Sequence, residues 1–88
     1  MSAKTMFEKL GYKDKSYSYK KTLNKDYIVY QNDKTVIYTI IFVKEYKCIE
    51  IIPELNVVER KPVHFSRLDM DLLQAINQQV EELGWLDE

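Results

Sequence analysis

One cysteine, one histidine, one tryptophan, two glycines and two prolines are all that the 88 residues contain of these types, and each shortage excludes something. A lone Cys48 forms no internal disulfide, and with a single His64 it cannot complete a Cys/His zinc cage. Two glycines cannot furnish a phosphate-cradling loop, and the patterns GxxxxGK, GxGxxG, HExxH and GxSxG are missing from the sequence. Its apolar runs fall short of the roughly 18 residues that a membrane span requires, and its start lacks the apolar core and cleavage site of a signal peptide. The expected location is therefore the cytoplasm. Against this background, 45% hydrophobic and 31% charged residues describe an ordered globular chain. Its length makes one domain over residues 1–88.

Both glycines sit in nearly the same phrase, FEKLGY at 7–12 and VEELGW at 80–85. Each reads as a helix stop, because glycine enters the left-handed conformation past a last turn at no steric cost. In a Schellman arrangement Tyr12 would fold back on Phe7 and Trp85 on Val80. Ala3, Met6, Phe7 and Leu10 line one side of a short first helix, with Ser2 as its N-cap. Asp69 caps a second, longer helix whose inward positions are Leu73, Ile76, Val80 and Leu83. Asp71 suits the positive end of that helix, whereas Glu81 and Glu82 lie at its negative end and call for compensation from elsewhere.

Between the helices the pattern is that of strands. DYIVYQ, then the turn residues NDK, then TVIYTIIFV predict a hairpin; KEYK and CIEIIP add a third strand that Pro53 should end or leave at an edge. Residues 54–67 allow one more hairpin or a single returning strand. Residues 12–25 carry five lysines and three tyrosines, and the alternation of Tyr17 and Tyr19 with polar residues reads as an edge strand or an extended arm. The fold class is α+β: a short N-terminal helix, an antiparallel sheet of three to five strands, and a longer C-terminal helix packed on it. In the central strand Val36, Tyr38, Ile40 and Phe42 point one way and Ile37, Thr39, Ile41 and Val43 the other, so both faces require cover. Either the helices take opposite faces, or both take one and a second copy covers the other; the second arrangement, a homodimer, is favoured.

No catalytic residue, metal or cofactor is expected. His64 has no carboxylate or nucleophile in a recognisable spacing, and Cys48, though it follows Lys47, reads as a small strand residue. Function must then come from a surface. Residues 1–47 hold ten lysines against five acids, and residues 48–88 hold three cations against nine acids, so the two halves are oppositely charged. The leading expectation is binding of another protein, with Gln74, Gln78, Glu81, Glu82 and Trp85 as contacts. Trp85 also has a plainer role as the aromatic that seals its helix end. The alternative is single-stranded nucleic acid held by Lys13, Lys15, Tyr17, Tyr19, Lys20, Lys21 and Lys25, with Tyr27 and Tyr30 as further stacking platforms. Both arginines, Arg60 and Arg67, lie outside that stretch, which counts against it.

KTMFEKLGY at 4–12, DYIVY at 26–30 and the closing DMDLLQAINQQVEELGWLDE carry a resemblance. In them the chain resembles a group of small uncharacterised proteins from phages and prophages of low-GC Gram-positive bacteria. The likeness is strongest over residues 4–12 and 69–87 and does not extend to residues 44–66. It implies a phage-derived protein of the host cytoplasm, whose expected partner is a host or phage protein. Its positions, among them Leu10, Gly11, Leu73, Ile76, Leu83, Gly84 and Trp85, are those assigned to packing and capping, so it carries no binding residues across.

Overall fold

A computed structural model describes residues 1–63 and 66–86. Helix α1 spans Ala3–Lys9, and the Ser2 side chain accepts from the Thr5 amide at its start. Gly11 ends it at φ 90°, with Gly11 N donating to Glu8 O and Tyr12 N to Phe7 O, both at 3.0 Å. These are the two bonds of a Schellman cap. The Tyr12 ring returns edge-on to Phe7, centroids 5.6 Å apart.

Five antiparallel strands follow in the spatial order of the chain: β1 Lys13–Asp14, β2 Ile28–Gln31, β3 Val36–Val43, β4 Cys48–Leu55 and β5 Lys61–Pro62. One expectation is corrected here. Residues 12–25 are not an extended arm, because helix α2, Ser16–Leu23, stands between β1 and β2. Asp14 Oδ1 accepts from Ser16 N at 2.9 Å to start it, and Asn24 in the left-handed conformation stops it. Of the two places expected for Pro53 it takes the edge, since β4 runs on to Leu55. Opposite Pro53, Tyr38 turns its own amide and carbonyl toward Asn32, while the Pro53 carbonyl faces outward and accepts from Val63 N. The missing proline N–H therefore lies on the outer edge and costs no bond to β3. The tail after β4 makes only the short returning strand β5; His64 and Phe65 lie outside the described residues.

Helix α3, Met70–Glu82, starts on Asp69, whose Oδ1 accepts from Leu72 N at 2.8 Å, and ends at Gly84, φ 70°, with Trp85 N donating to Val80 O. Its inward stripe is Leu72, Ala75, Ile76 and Gln79, with Val80 and Leu83 half-buried beside it. Leu73 is only half-buried, so the inward face is turned from the expected one. Ala75 is small enough to let the helix approach, and Gln79 is accepted inside because Tyr30 Oη donates to its Oε1 at 2.7 Å.

Both α1 and α3 lie on the same face of the sheet. There Phe7 stacks on Tyr30 at 4.0 Å, Phe42 meets both edge-on at 6.2 Å, and Ile40, Leu72, Ala75 and Ile76 complete the core. The opposite face is covered in part by the chain itself. Val29, Ile41 and Val43 are buried with Tyr19 of α2 and Tyr27 against them. Ile37 and Thr39 are buried as well, which leaves Ile52 as the large apolar side chain exposed on that face of β4. The uncovered apolar surface that favoured a second copy is thus largely absent.

Candidate interaction surfaces and a donor-lined cleft

The residues expected to meet a protein partner share one side of α3 and its cap, since 74, 78, 81, 82 and 85 follow at helical spacing. Three of them, Gln78, Glu82 and Trp85, are occupied. Glu82 Oε2 accepts from the Ala3 backbone amide at 2.7 Å and from Gln78 Nε2 at 3.1 Å, and this is the compensation that its place at the end of α3 called for. Trp85 is half-buried with its ring 6.2 Å from that of Phe42. Gln74 and Glu81 remain exposed; Met70, one turn before Gln74, and Leu86, past the end of the helix, are 66% and 76% exposed.

The lysine and tyrosine residues of the alternative gather on β1 and α2. Tyr17, Lys20 and Lys21 share one side of the helix at i, i+3 and i+4, with Tyr17 77% exposed. Lys13 and Lys25 are exposed at the two ends of the unit, and Lys15, half-buried, is tied down by its amide, which donates to Val29 O at 2.8 Å. Asp26, the acid beside Lys25, pairs with Lys44 at 3.5 Å. Tyr19 and Tyr27 are half-buried against Val29, Ile41 and Val43, and Tyr30, 3% exposed in the core, has no free face for a base.

A third place was missed by sequence reasoning. A cleft of about 440 Å³ opens at the end of the sheet, where the turn after α1, the turn between β2 and β3 and the approach to α3 converge. Tyr12, Asn32, Lys34, Tyr38, Arg67 and Asp69 contribute its polar groups, in a lining that also includes Leu72. Asn32 organises it. Its Oδ1 accepts from Tyr38 N at 2.9 Å and its own backbone amide donates to Tyr38 O, which fixes the start of β3 beside Tyr12 in the cleft lining. Burial, with smaller contributions from Tyr38 and Asp69, pushes the Tyr12 phenol up to about 12, so its hydroxyl stays protonated at neutral pH. Tyr38 Oη accepts from Arg67 N at 3.2 Å, which leaves its proton to donate. No signal in the sequence could have found this cleft, because its residues come from separate segments brought together by the strand register.

Among the described residues no group of three or more His, Cys, Asp and Glu side chains gathers to hold a metal, and no helix is long and apolar enough to cross a membrane. Cys48 is exposed at the start of β4. The chain matches no protein-family model, no curated protein and no solved structure.

Proposed function

We propose that this is a phage-derived accessory protein without catalytic activity, acting in the host cytoplasm by binding another protein through the exposed stripe of α3. The observation that carries the reading is the division of labour on that helix. Leu72, Ala75, Ile76 and Gln79 are spent on the core, while Gln74 and Glu81 stay exposed, as do Met70, one turn before Gln74, and Leu86, past the end of the helix. Amides and a carboxylate together with exposed apolar groups suit a partner surface that offers donors around an apolar patch. The phage assignment rests on the resemblance of residues 4–12 and 69–87. The test is capture of a discrete protein from Gram-positive host lysate after nuclease treatment. Gln74→Arg with Glu81→Lys should abolish capture while leaving the Tm unchanged. Capture that survives the charge reversal would remove α3 as the contact.

A second reading has its own observation. Tyr17, Lys20 and Lys21 project from one side of an exposed helix, with Lys13 and Lys25 beside them. Such a surface suits the backbone of a single-stranded nucleic acid, with Tyr17 under a base. Fluorescence anisotropy of a labelled short single strand should then rise at low salt and weaken with a log–log slope of about −0.7 per phosphate neutralised. No change in anisotropy at low salt would remove this reading.

A further inference from the structure

The cleft at the end of the sheet has an excess of hydrogen-bond donors. Lys34 and Arg67 bring cationic donors, and among the described residues neither forms an ion pair. Tyr38 Oη accepts from the Arg67 amide and keeps its own proton to donate, and Tyr12, which stays protonated, brings a second hydroxyl donor. Among the described residues Asp69 is the one carboxylate in the lining, and one of its oxygens is already taken by the Leu72 amide as the cap of α3. Two cations therefore stand against a single, partly engaged acid, at the positive end of a 13-residue helix. Water can satisfy such donors, but a ligand that supplies several strong acceptor oxygens satisfies them with charge-assisted bonds. The rings of Tyr12 and Tyr38 and the side chains of Leu10, Val36 and Leu72 supply the apolar part of the same lining.

We propose that this cleft is a binding site for a small oxyanion-bearing molecule, a carboxylate or phosphate on an apolar or aromatic body. Lys34 and Arg67 hold the oxyanion, Tyr12 and Tyr38 add hydroxyl donors, and the body lies over Leu72. The exposed Lys34 side chain passes beside the turn after α1, where a Cβ added to Gly11 would meet its Cε at 3.6 Å. Arg67 is anchored through its backbone amide rather than its side chain, which leaves the guanidinium for a ligand. The site is separate from the α3 stripe and from α2, so it stands or falls independently of either reading of the macromolecular partner.

The test is amide NMR of the full chain titrated with sodium benzoate and phenyl phosphate, with benzamide as the neutral control, at constant ionic strength. Saturable shifts at Gly11, Lys34 and Arg67 with either anion, and none with benzamide, are expected. The anion that binds more tightly identifies the carboxylate or the phosphate class. Lys34→Gln and Arg67→Gln should each weaken binding about tenfold, the loss of one charge-assisted contact. Arg67→Gln keeps the backbone amide that Tyr38 accepts, so the fold persists, and an unchanged Tm verifies it. Absence of saturable shifts, equal shifts with benzamide, or undiminished affinity in the double variant would overturn the proposal.

Discussion

The Ala3 amide in the first turn of α1 donates to Glu82 Oε2 in the last turn of α3 at 2.7 Å, so one carboxylate joins the two helices at opposite ends of the chain. It fills an orphan N–H at the positive end of α1 and thereby offsets its own poor position at the negative end of α3. Glu82→Ala should cost about 1 kcal/mol, as the loss of a helix cap does. In thermal circular dichroism that is a fall in Tm of about 4–8 °C for a domain of this size. Glu82→Gln keeps an acceptor and should lose less. Equal Tm values for Glu82→Ala and the parent would show that the contact contributes nothing.

Tyr30 and Gln79 form the buried polar pair of the core, and removing one partner strands the other. Tyr30→Phe keeps the ring stacked on Phe7 but leaves Gln79 Oε1 without its donor, at a cost of about 1–3 kcal/mol. Adding Gln79→Leu removes the stranded group and should recover part of that loss, a non-additivity that urea denaturation of the four forms reads directly. Additive losses would mean that the hydrogen bond is not what places Gln79 inside.

The two helix stops, the Asp69 cap and the alternation in β3 were legible because each depends on residues adjacent in sequence. Helix α2 was not. Tyr17 and Tyr19 happen to alternate like a strand, whereas the helix is set by side chains bonding backbone: Asp14 to the Ser16 amide, and Ser16 Oγ to the Val29 amide across 13 positions. Asn24 at its end was the one local signal, since asparagine tolerates the left-handed conformation as few other residues do. The inward face of α3 was misread by one position because Gln79 looks polar until Tyr30 is placed opposite it. The cleft needed Asn32 in register with Tyr38, and Arg67 brought beside both, which no spacing in the sequence encodes.

Gly11 tests the helix stop without a steric complication. A methyl group there would meet its nearest neighbour, Lys34 Cε, at 3.6 Å, an ordinary contact, so Gly11→Ala is penalised only by its φ of 90°. The cost should be about 1–2 kcal/mol. Leu10→Ala should also destabilise, but by lost packing. The two are distinguished by Gly11→Asn, which tolerates positive φ better and should recover part of the glycine's contribution in the same thermal melt. An Asn variant no more stable than the Ala variant would place the cost elsewhere than in the backbone angle.

Alkali should unfold the protein through its two buried phenols. Tyr12 and Tyr30 are each pushed up from 10.0 to about 12, in both cases chiefly by burial; Tyr38 and Asp69 add to the effect at Tyr12, and Asp14, Glu82 and Glu8 add to it at Tyr30. The folded chain therefore holds these protons more tightly than the unfolded chain does. Their contribution is fully present below pH 10 and is lost as pH rises toward about 12. In a spectrophotometric titration of the seven tyrosines, two should ionise in a late step that coincides with loss of the near-ultraviolet circular dichroism of the folded core. Tyr30→Phe should remove half of the late step. A single ionisation near the ordinary tyrosine value, with the folded spectrum intact throughout, would mean that neither hydroxyl is shielded as the packing around Phe7 and Asn32 requires.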